Sequence, residues 1–346
     1  MIEKLHWHKD DGPRIEGSRE LDCLKVQAPG ITRRPEGGFR LFYTAIGPAK
    51  PFPACQGYIL SAVSDDGLHF EPEPGIRLAP QLEVPYRSRR VLAPSVTQCA
   101  EGWRMYVEAR GTADRPVVIC SAFSKDMLHW TFDDGIRLQS SGGVGAPRYV
   151  SLGTAGGRLY YFNSDYGEGG KACGTRISQP VVSAVTTDGL AFAMDPGIRI
   201  HDKRSKQDAK GITAAEAIAP TRADDDWIMF YSAWQDAPAG RHIPTHPSDP
   251  STADTPPEEL DFAAASIAAD ISGFRSRIFQ AMSEDGLSFG PPECIVAGGG
   301  YESDELDAVH AEDMSVITLG DGRRRMYYAA GDTAGRGRIA SAVTGS

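Results

Sequence analysis

Short apolar segments rich in β-branched and aromatic residues recur along the whole chain, and each gives way after a few residues to a polar turn. The clearest case is SAVSDDGLHF at residues 61–70, which returns with variations at residues 121–130, 183–192 and 280–289. An Asp-Gly pair between such segments is a strong β-hairpin signal. A repeat on this scale predicts a repeat architecture.

A second hairpin precedes each of these phrases. Its return strand is aromatic, at residues 40–44, 104–108, 158–162, 227–232 and 325–329, and follows a short strand with proline or small residues. Four strands in each of five units predict an all-β, five-bladed β-propeller that forms a single domain over residues 1–346. The expected blades cover about 22–80, 90–140, 144–200, 212–297 and 307–346, with a strand from residues 5–15 completing the last one.

The spacing of the repeats exposes an insertion in blade four. Asp66, Asp126, Asp188 and Asp285 are separated by 60, 62 and 97 residues. The excess falls at residues 236–276, with a short helix expected at 257–269. This insertion and the linkers at 86–90 and 201–210 all join strands at one face of a propeller. Long loops on a rigid scaffold are where function concentrates, so this face is the predicted functional face.

The same geometry predicts the site residues. The inner strands open towards the central funnel with Gln27, Ser95, Arg148, Glu216 and the pair Glu312-Asp313. The second strands end at the same face with Glu108, Asp165, Trp234 and Asp332. The funnel is therefore expected to be rich in carboxylates, with arginine and aromatic side chains among them.

Composition and charge narrow the function classes. The net charge of −10 gives no reason to expect a nucleic-acid partner. No apolar segment resembles a signal peptide or a membrane span, so we expect a cytoplasmic location and no membrane partner. The six cysteines form no Cys-x-x-Cys pair and are expected to be free thiols.

With these motifs in place, the chain resembles the five-bladed propeller glycosidases, which include glycoside hydrolase families 32, 43, 62, 68 and 130. Residues 93–96 (APSV) resemble the Ala-Pro-Asp segment of family 43, and Glu216 with residues 227–232 resembles its general-acid segment. Residues 311–316 (AEDMSV) and 327–332 (YYAAGD) resemble family 130 motifs, in which the Asp after the Glu is catalytic and the last Asp binds sugar.

The resemblance has departures at the catalytic positions of family 43. Where that family has an aspartate in each of the first three blades, this chain has residues 27–29 (QAP), Ser95, and Ala146 beside Arg148. Three functions therefore stay open. One is cleavage of a glycosidic bond in a short or charged sugar by a hydrolase or a phosphorylase. The second is non-hydrolytic chemistry by a lyase, isomerase or cyclase, and the third is sugar binding without catalysis.

Under the first reading, Glu216 is predicted to be the general acid and Asp313 the base, with Glu312 as the alternative base. Carboxylates about 6.5–9.5 Å apart suit inverting cleavage. The predicted substrate-binding residues are Arg148, Asp332, Glu108, Asp165, Trp234, Ser95, Gln27 and His310.

No cofactor is required by this reading, although His310 with Glu312 and Asp313 could bind a divalent metal. Trp234 could stack on a sugar ring. Arg148 and the linker arginines Arg87, Arg89 and Arg90 favour an anionic ligand.

Overall fold

Five four-stranded antiparallel sheets make up the computed structural model, which describes residues 5–112, 114–166, 179–201, 211–222, 225–241 and 274–345. The five-bladed β-propeller predicted from the repeats is confirmed. Blade one contains β2 (Lys25–Arg33), β3 (Phe39–Ile46), β4 (Tyr58–Ser64) and β5 (Glu71–Pro72). Blade two contains β6 (Arg90–Cys99), β7 (Gly102–Arg110), β8 (Val118–Ser124) and β9 (Thr131–Phe132).

The remaining blades have the same order, from the inner strand outwards. Blade three contains β10 (Val144–Ser151), β11 (Gly157–Asn163), β12 (Val181–Thr186) and β13 (Ala193–Met194). Blade four contains β14 (Gly211–Ile218), β15 (Trp227–Asp236), β16 (Phe274–Ser283) and β17 (Glu293–Val296). Blade five contains β18 (His310–Thr318), β19 (Arg324–Gly331) and β20 (Gly337–Thr344). Short 3₁₀ turns occur at Pro85–Arg87, Gly153–Ala155 and Ser164–Tyr166.

The N-terminal strand closes the ring. Strand β1 (Trp7–Lys9) pairs antiparallel with β20 and supplies the outer strand of blade five, so both ends of the chain share one sheet. Lys9 at the end of β1 binds the carboxylates of Glu305 and Asp307 at 2.7 and 2.8 Å.

The hydrophobic core lies between the blades. Each of the five largest clusters of buried side chains combines residues from two neighbouring blades; for example, Tyr160 of blade three packs with Met229 and Phe279 of blade four. The aromatic second strands supply much of this buried surface, which explains why the sequence repeats them in every blade.

The Asp-Gly phrases form turns at the outer edge, as the sequence predicts. In blade one, Asp66 Oδ1 accepts the backbone N–H groups of Leu68 and His69 at 2.8 and 2.9 Å. The turn also joins blades, because the hydroxyl of Tyr327 in blade five donates to the carbonyl of Gly67 at 2.8 Å. The repeated phrase therefore stabilises the ring on the face opposite the funnel.

A β-bulge interrupts every inner strand near the funnel face. The register shifts between Gln27 and Gly30 and at the corresponding points of the other four blades. In four blades a residue other than glycine adopts a left-handed conformation there: Ala28 (φ 47°), Ala93 (φ 54°), Ala146 (φ 49°) and Asp313 (φ 52°). Such a conformation costs free energy and persists only where the surroundings enforce it.

Two predictions fall on parts of the chain that the structure does not describe. The helix expected at 257–269 and most of the insertion lie outside the described residues, as do residues 202–210 of the linker. The described strands β15 and β16 do meet at the funnel face, where Asp236 is the partner of Phe274. Among the helices of the described segments, none has the length and apolar character to cross a membrane.

Candidate functional site

Asp313 is a carboxylate on which charged residues from several blades act. It occupies the left-handed position of the bulge in β18, and its backbone N–H donates to Ser232 Oγ of blade four at 3.0 Å. Burial, reinforced by the neighbouring Glu312 carboxylate, raises the pKa of Asp313 to about 7, while Arg148 opposes this change. A carboxyl group with such a pKa holds or releases a proton near neutral pH.

Glu312 points into the interface between blades four and five. Its Oε2 accepts the indole N–H of Trp234 at 2.8 Å, and it lies 4.0 Å from Nδ1 of His310. His310 is buried and its Nδ1 lies 2.9 Å from Ser276 Oγ. The Trp234 ring stacks on Phe274 with centroids 5.4 Å apart and is only 8% exposed. One face of this ring is thus covered, and its role as a sugar platform stays a prediction.

Each oxygen of the Glu216 carboxylate contacts a different neighbour. Oε1 accepts the backbone N–H of Val316 in blade five at 2.9 Å, and Oε2 lies 3.3 Å from Nε of Arg148. Its side chain is 15% exposed, and burial raises its pKa although Arg148 opposes the effect. The structure brings Glu216 to the channel as predicted. Its catalytic role stays a prediction.

The bond between Glu216 and Val316 belongs to a repeated pattern. Ser95 occupies the equivalent place in blade two, and its Oγ accepts the N–H of Tyr149 in blade three at 3.0 Å. Ser315 in blade five accepts the N–H of Ile31 in blade one at 3.2 Å. These three side chains link consecutive inner strands, which is a structural role that Glu216 shares.

Glu108 links blades two and three in a similar way. Its Oε2 accepts the N–H of Ala146 at 3.1 Å, and its Oε1 lies 3.3 Å from Arg90 Nη2. Burial raises the pKa of Glu108, and Arg90 opposes this rise. Arg110 is buried beside this pair, and burial lowers its pKa to about 9. The prediction that Glu108 binds substrate stays open, since both of its oxygens already accept hydrogen bonds.

The linker arginines do not form one group. Arg87 packs outwards, with its guanidinium carbon 4.1 Å from the centroid of the Phe132 ring and its Nε bonded to Gln81. Arg90 instead points inwards to Glu108. The anionic ligand expected from Arg87, Arg89 and Arg90 together therefore gains no support from a shared position.

Two carboxylates that are predicted to bind substrate accept hydrogen bonds within their own loops. Asp165 accepts the N–H and hydroxyl of Ser141, both at 2.9 Å, and so fastens the loop before β10. Asp332 accepts the N–H groups of Ala334 and Arg336, and its Oδ2 lies 2.9 Å from Arg338 Nη1. These contacts hold hairpins in place, and substrate binding by either aspartate stays a prediction.

A cleft between blades five and one brings several predicted residues together. It has an empty volume of about 350 Å³, part of it open to solvent, and its polar lining residues are Lys25, Gln27, His310, Glu312 and Arg336. Lys25 also acts electrostatically on Asp313. The cleft therefore brings together Gln27, His310 and Glu312, three of the residues that the sequence predicts for the site.

Sequence reasoning missed two residues that act directly on Asp313. Ser232 fixes its backbone, and Lys25 contributes a positive charge to the cleft. Ser232 could have been found from the repeats, because the equivalent positions hold Thr44 and Glu108, whose oxygens also accept the N–H of a bulge residue in the next blade. No equivalent position in the repeats points to Lys25.

The predicted metal position receives no structural support. Within the segments that the structure describes, no group of three His, Cys, Asp or Glu side chains is placed to hold a metal ion. Arg148 occupies the centre of the channel and donates to backbone carbonyls.

Comparison with known proteins places the fold. The sequence matches no protein-family model, and no curated protein matches it. Solved structures do match in architecture, at 12–14% identity. A structure described as showing that the family 130 mannoside phosphorylases contain glycoside hydrolases acting on β-1,2-mannosidic linkages has a TM-score of 0.66 at 12% identity, over 99% of this chain and 95% of that one.

Two further structures are similar over nearly their full lengths. The β-1,2-mannobiose phosphorylase from Listeria innocua, solved with β-1,2-mannobiose, has a TM-score of 0.62 at 13% identity and covers 97% of this chain and 96% of its own. A thermostable family 43 glycoside hydrolase has a TM-score of 0.61 at 14% identity, covering 94% and 92%. The protein therefore has the five-bladed propeller fold found in these glycoside hydrolases and phosphorylases, as the sequence motifs indicate.

Proposed function

We propose that this protein is a carbohydrate-active enzyme that cleaves a glycosidic bond in the funnel, with Asp313 as the proton donor. The observation that carries the proposal is the position of Asp313, at the left-handed residue of the bulge in β18 and next to Glu312, where burial and that carboxylate raise its pKa to about 7. General acids work best when their pKa lies near the working pH. The fold similarity to glycoside hydrolases and phosphorylases supports the substrate class.

The geometry favours Asp313 over Glu216 as the acid. Glu216 already contacts Val316 and Arg148, whereas among the described residues the Asp313 carboxylate accepts no hydrogen bond and only the backbone N–H of Asp313 is bonded. In the proposed reaction the Asp313 proton passes to the glycosidic oxygen. The bond from the anomeric carbon to that oxygen breaks with its electron pair on the oxygen, and an acceptor oxygen bonds to the anomeric carbon.

Hydrolysis and phosphorolysis differ in the molecule that bonds to the anomeric carbon, which is water in the first and phosphate in the second. Water must lose a proton to a base, but Glu108, Glu216 and Glu312 each already accept a hydrogen bond from a buried donor. Phosphate needs no such base. Phosphorolysis is therefore a second form of the same proposal.

The test is a turnover assay on short oligosaccharides, including β-1,2-mannobiose, with and without inorganic phosphate. A sugar 1-phosphate formed only with phosphate indicates phosphorolysis, and free sugars alone indicate hydrolysis. Asp313→Asn should lower kcat by about 100-fold or more. Asp65→Asn, at a turn on the opposite face with its side chain 95% exposed, is the matched control and should retain full activity.

Two outcomes would contradict the proposal. If Asp313→Asn keeps the wild-type kcat, another group is the proton donor. If no glycoside is turned over while a sugar binds equally well to the wild type and to Asp313→Asn, the protein is a sugar-binding propeller without catalysis.

A further inference from the structure

The guanidinium group of Arg148 lies where the inner strands of all five blades meet. Arg148 is 2% exposed. Its donors contact backbone carbonyl oxygens at Pro29 (3.0 Å), Pro94 (3.2 Å), Pro147 (3.3 Å), Met314 (3.3 Å) and Ala93 (3.4 Å). Blade four makes its contact through Glu216, whose Oε2 lies 3.3 Å from Nε of Arg148.

Four of these carbonyls occupy equivalent positions. Pro29, Pro94, Pro147 and Met314 each follow the left-handed residue of a bulge. The bulge turns the next carbonyl towards the axis. In four blades, therefore, one side chain contacts the carbonyl that follows the left-handed residue.

Blade four departs from this pattern. Its register shift falls earlier, between Ile212 and Ala214, and the pairing of Ala215 with Tyr231 is regular. The carboxylate of Glu216 provides the oxygen that blade four would otherwise lack. A ring with one oxygen source from every blade thus surrounds a single positive charge.

A buried guanidinium requires such surroundings. An arginine has five N–H donors and keeps its charge, so burial is tolerated only where oxygens replace water around it. The ring supplies carbonyl dipoles from blades one, two, three and five, and one negative charge from blade four. Because one guanidinium makes all of these contacts, an inner strand that moved along the axis would lose its contact with Arg148.

We propose that Arg148 is a positioning residue. Its guanidinium, the cation at the centre of the channel, fixes the five inner strands and the bulge that presents Asp313. The proposal deepens, and rests on, the proposed role of Asp313. Met314, whose carbonyl Arg148 binds, is the residue directly after Asp313.

The charges around Asp313 give this role a signature that a purely structural residue would not have. Glu312, Glu108, Arg148 and Lys25 all act on its carboxylate. Because Arg148 lowers the pKa of Asp313, removing its charge should raise that pKa by about one unit or more. Neutralising Glu216 should lower it, since the charge of Arg148 is then less balanced.

The experiment compares Arg148→Met, Arg148→Lys and Glu216→Gln with the wild type, in full-length protein. The titration of Asp313 is followed by side-chain carboxyl ¹³C NMR, with Asp313→Asn assigning the signal, and Tm is measured alongside. Arg148→Met should raise the Asp313 midpoint and lower Tm. Arg148→Lys should lower Tm but keep the midpoint near that of the wild type, and Glu216→Gln should move the midpoint down.

A second measurement tests the ring itself. Arg148→Ala should gain thermal stability from millimolar methylguanidinium chloride compared with equal sodium chloride, because the small cation can occupy the vacated ring. If Arg148→Met does not fold, Arg148→Lys and Glu216→Gln still decide the matter.

An Asp313 midpoint that is the same in every variant that folds would overturn the positioning role, and the absence of methylguanidinium rescue would overturn the ring. The NMR titration needs no turnover. A failure of the proposed enzymatic function, seen as no activity in the wild type, is therefore distinguishable from a failure of this inference.

Discussion

The indole N–H of Trp234 donates to Oε2 of Glu312 at 2.8 Å and so joins the second strand of blade four to the inner strand of blade five. Both side chains are buried. The bond holds the Glu312 carboxylate beside Asp313, whose pKa it helps to raise. A tryptophan that the sequence suggests as a sugar platform therefore also orients a buried charge in the site.

Replacing Trp234 with phenylalanine should destabilise the protein. The ring would still fill most of the space, but a buried carboxylate would lose its N–H donor, at a cost of about 1–3 kcal/mol. The free energy of unfolding in urea measures this. Trp103→Phe, at the start of β7 and so at the opposite end of a second strand, is the control. An equal loss in both variants would mean that ring size, and not the hydrogen bond, is responsible.

Neutralising Glu312 should shift the pH dependence of activity. Glu312→Gln retains an oxygen for Trp234 but removes the negative charge next to Asp313. The pKa of Asp313 should then fall from about 7, so activity that needs its protonated form should be lost at a lower pH than in the wild type. The basic limb of kcat/KM against pH measures the shift. A basic limb that stays in place or moves to higher pH would show that Asp313 is not the group titrating there.

Asp313 should also make stability depend on pH. Its pKa in the folded protein lies above the unfolded value of 3.8, so the folded state holds a proton that the unfolded state has released. This contribution is complete below pH 3.8 and is lost as pH rises through about 7, by at most roughly 1.4 kcal/mol per pH unit. Asp313→Asn should flatten the decline measured by urea unfolding between pH 4 and 7, and Asp65→Asn should not. Parallel curves for the wild type and Asp313→Asn would contradict the raised pKa.

The repeats in the sequence were sufficient to predict the propeller and the turns, because each repeat encodes local strand and turn preferences. Strand order alone also predicts Gln27 and Glu312 at the openings of the inner strands, and the structure has both in the cleft. The ring around Arg148 could not be predicted in this way. It depends on bulge carbonyls that lie up to 166 residues from Arg148 in sequence and turn towards the axis only after all five blades have closed.

Asp332 gives a direct test of a structural against a binding role. Its Oδ2 lies 2.9 Å from Arg338, which is itself buried and also pairs with Glu16, so Asp332→Asn should leave Glu16 to balance this buried charge and cost about 1–3 kcal/mol. The comparison is Asp321→Asn, which breaks an ion pair with Arg323 whose side chains are 50% and 41% exposed, and which should cost much less because water screens this pair. Thermal unfolding measures both. An Asp332→Asn variant of wild-type stability that has lost sugar affinity would support a binding role instead.

Ser232 and Thr44 form a matched pair for separating stability from catalysis. Each hydroxyl oxygen accepts the N–H of the left-handed residue in the next blade: Ser232 that of Asp313 at 3.0 Å, and Thr44 that of Ala93 at 3.1 Å. Ser232→Ala and Thr44→Val should each leave a buried N–H without its partner and cost about 1–3 kcal/mol. Only Ser232→Ala should also lower kcat, because it frees the backbone that presents the proton donor. Equal kcat values in the two variants, measured at a temperature where both are folded, would show that the position of Asp313 does not depend on Ser232.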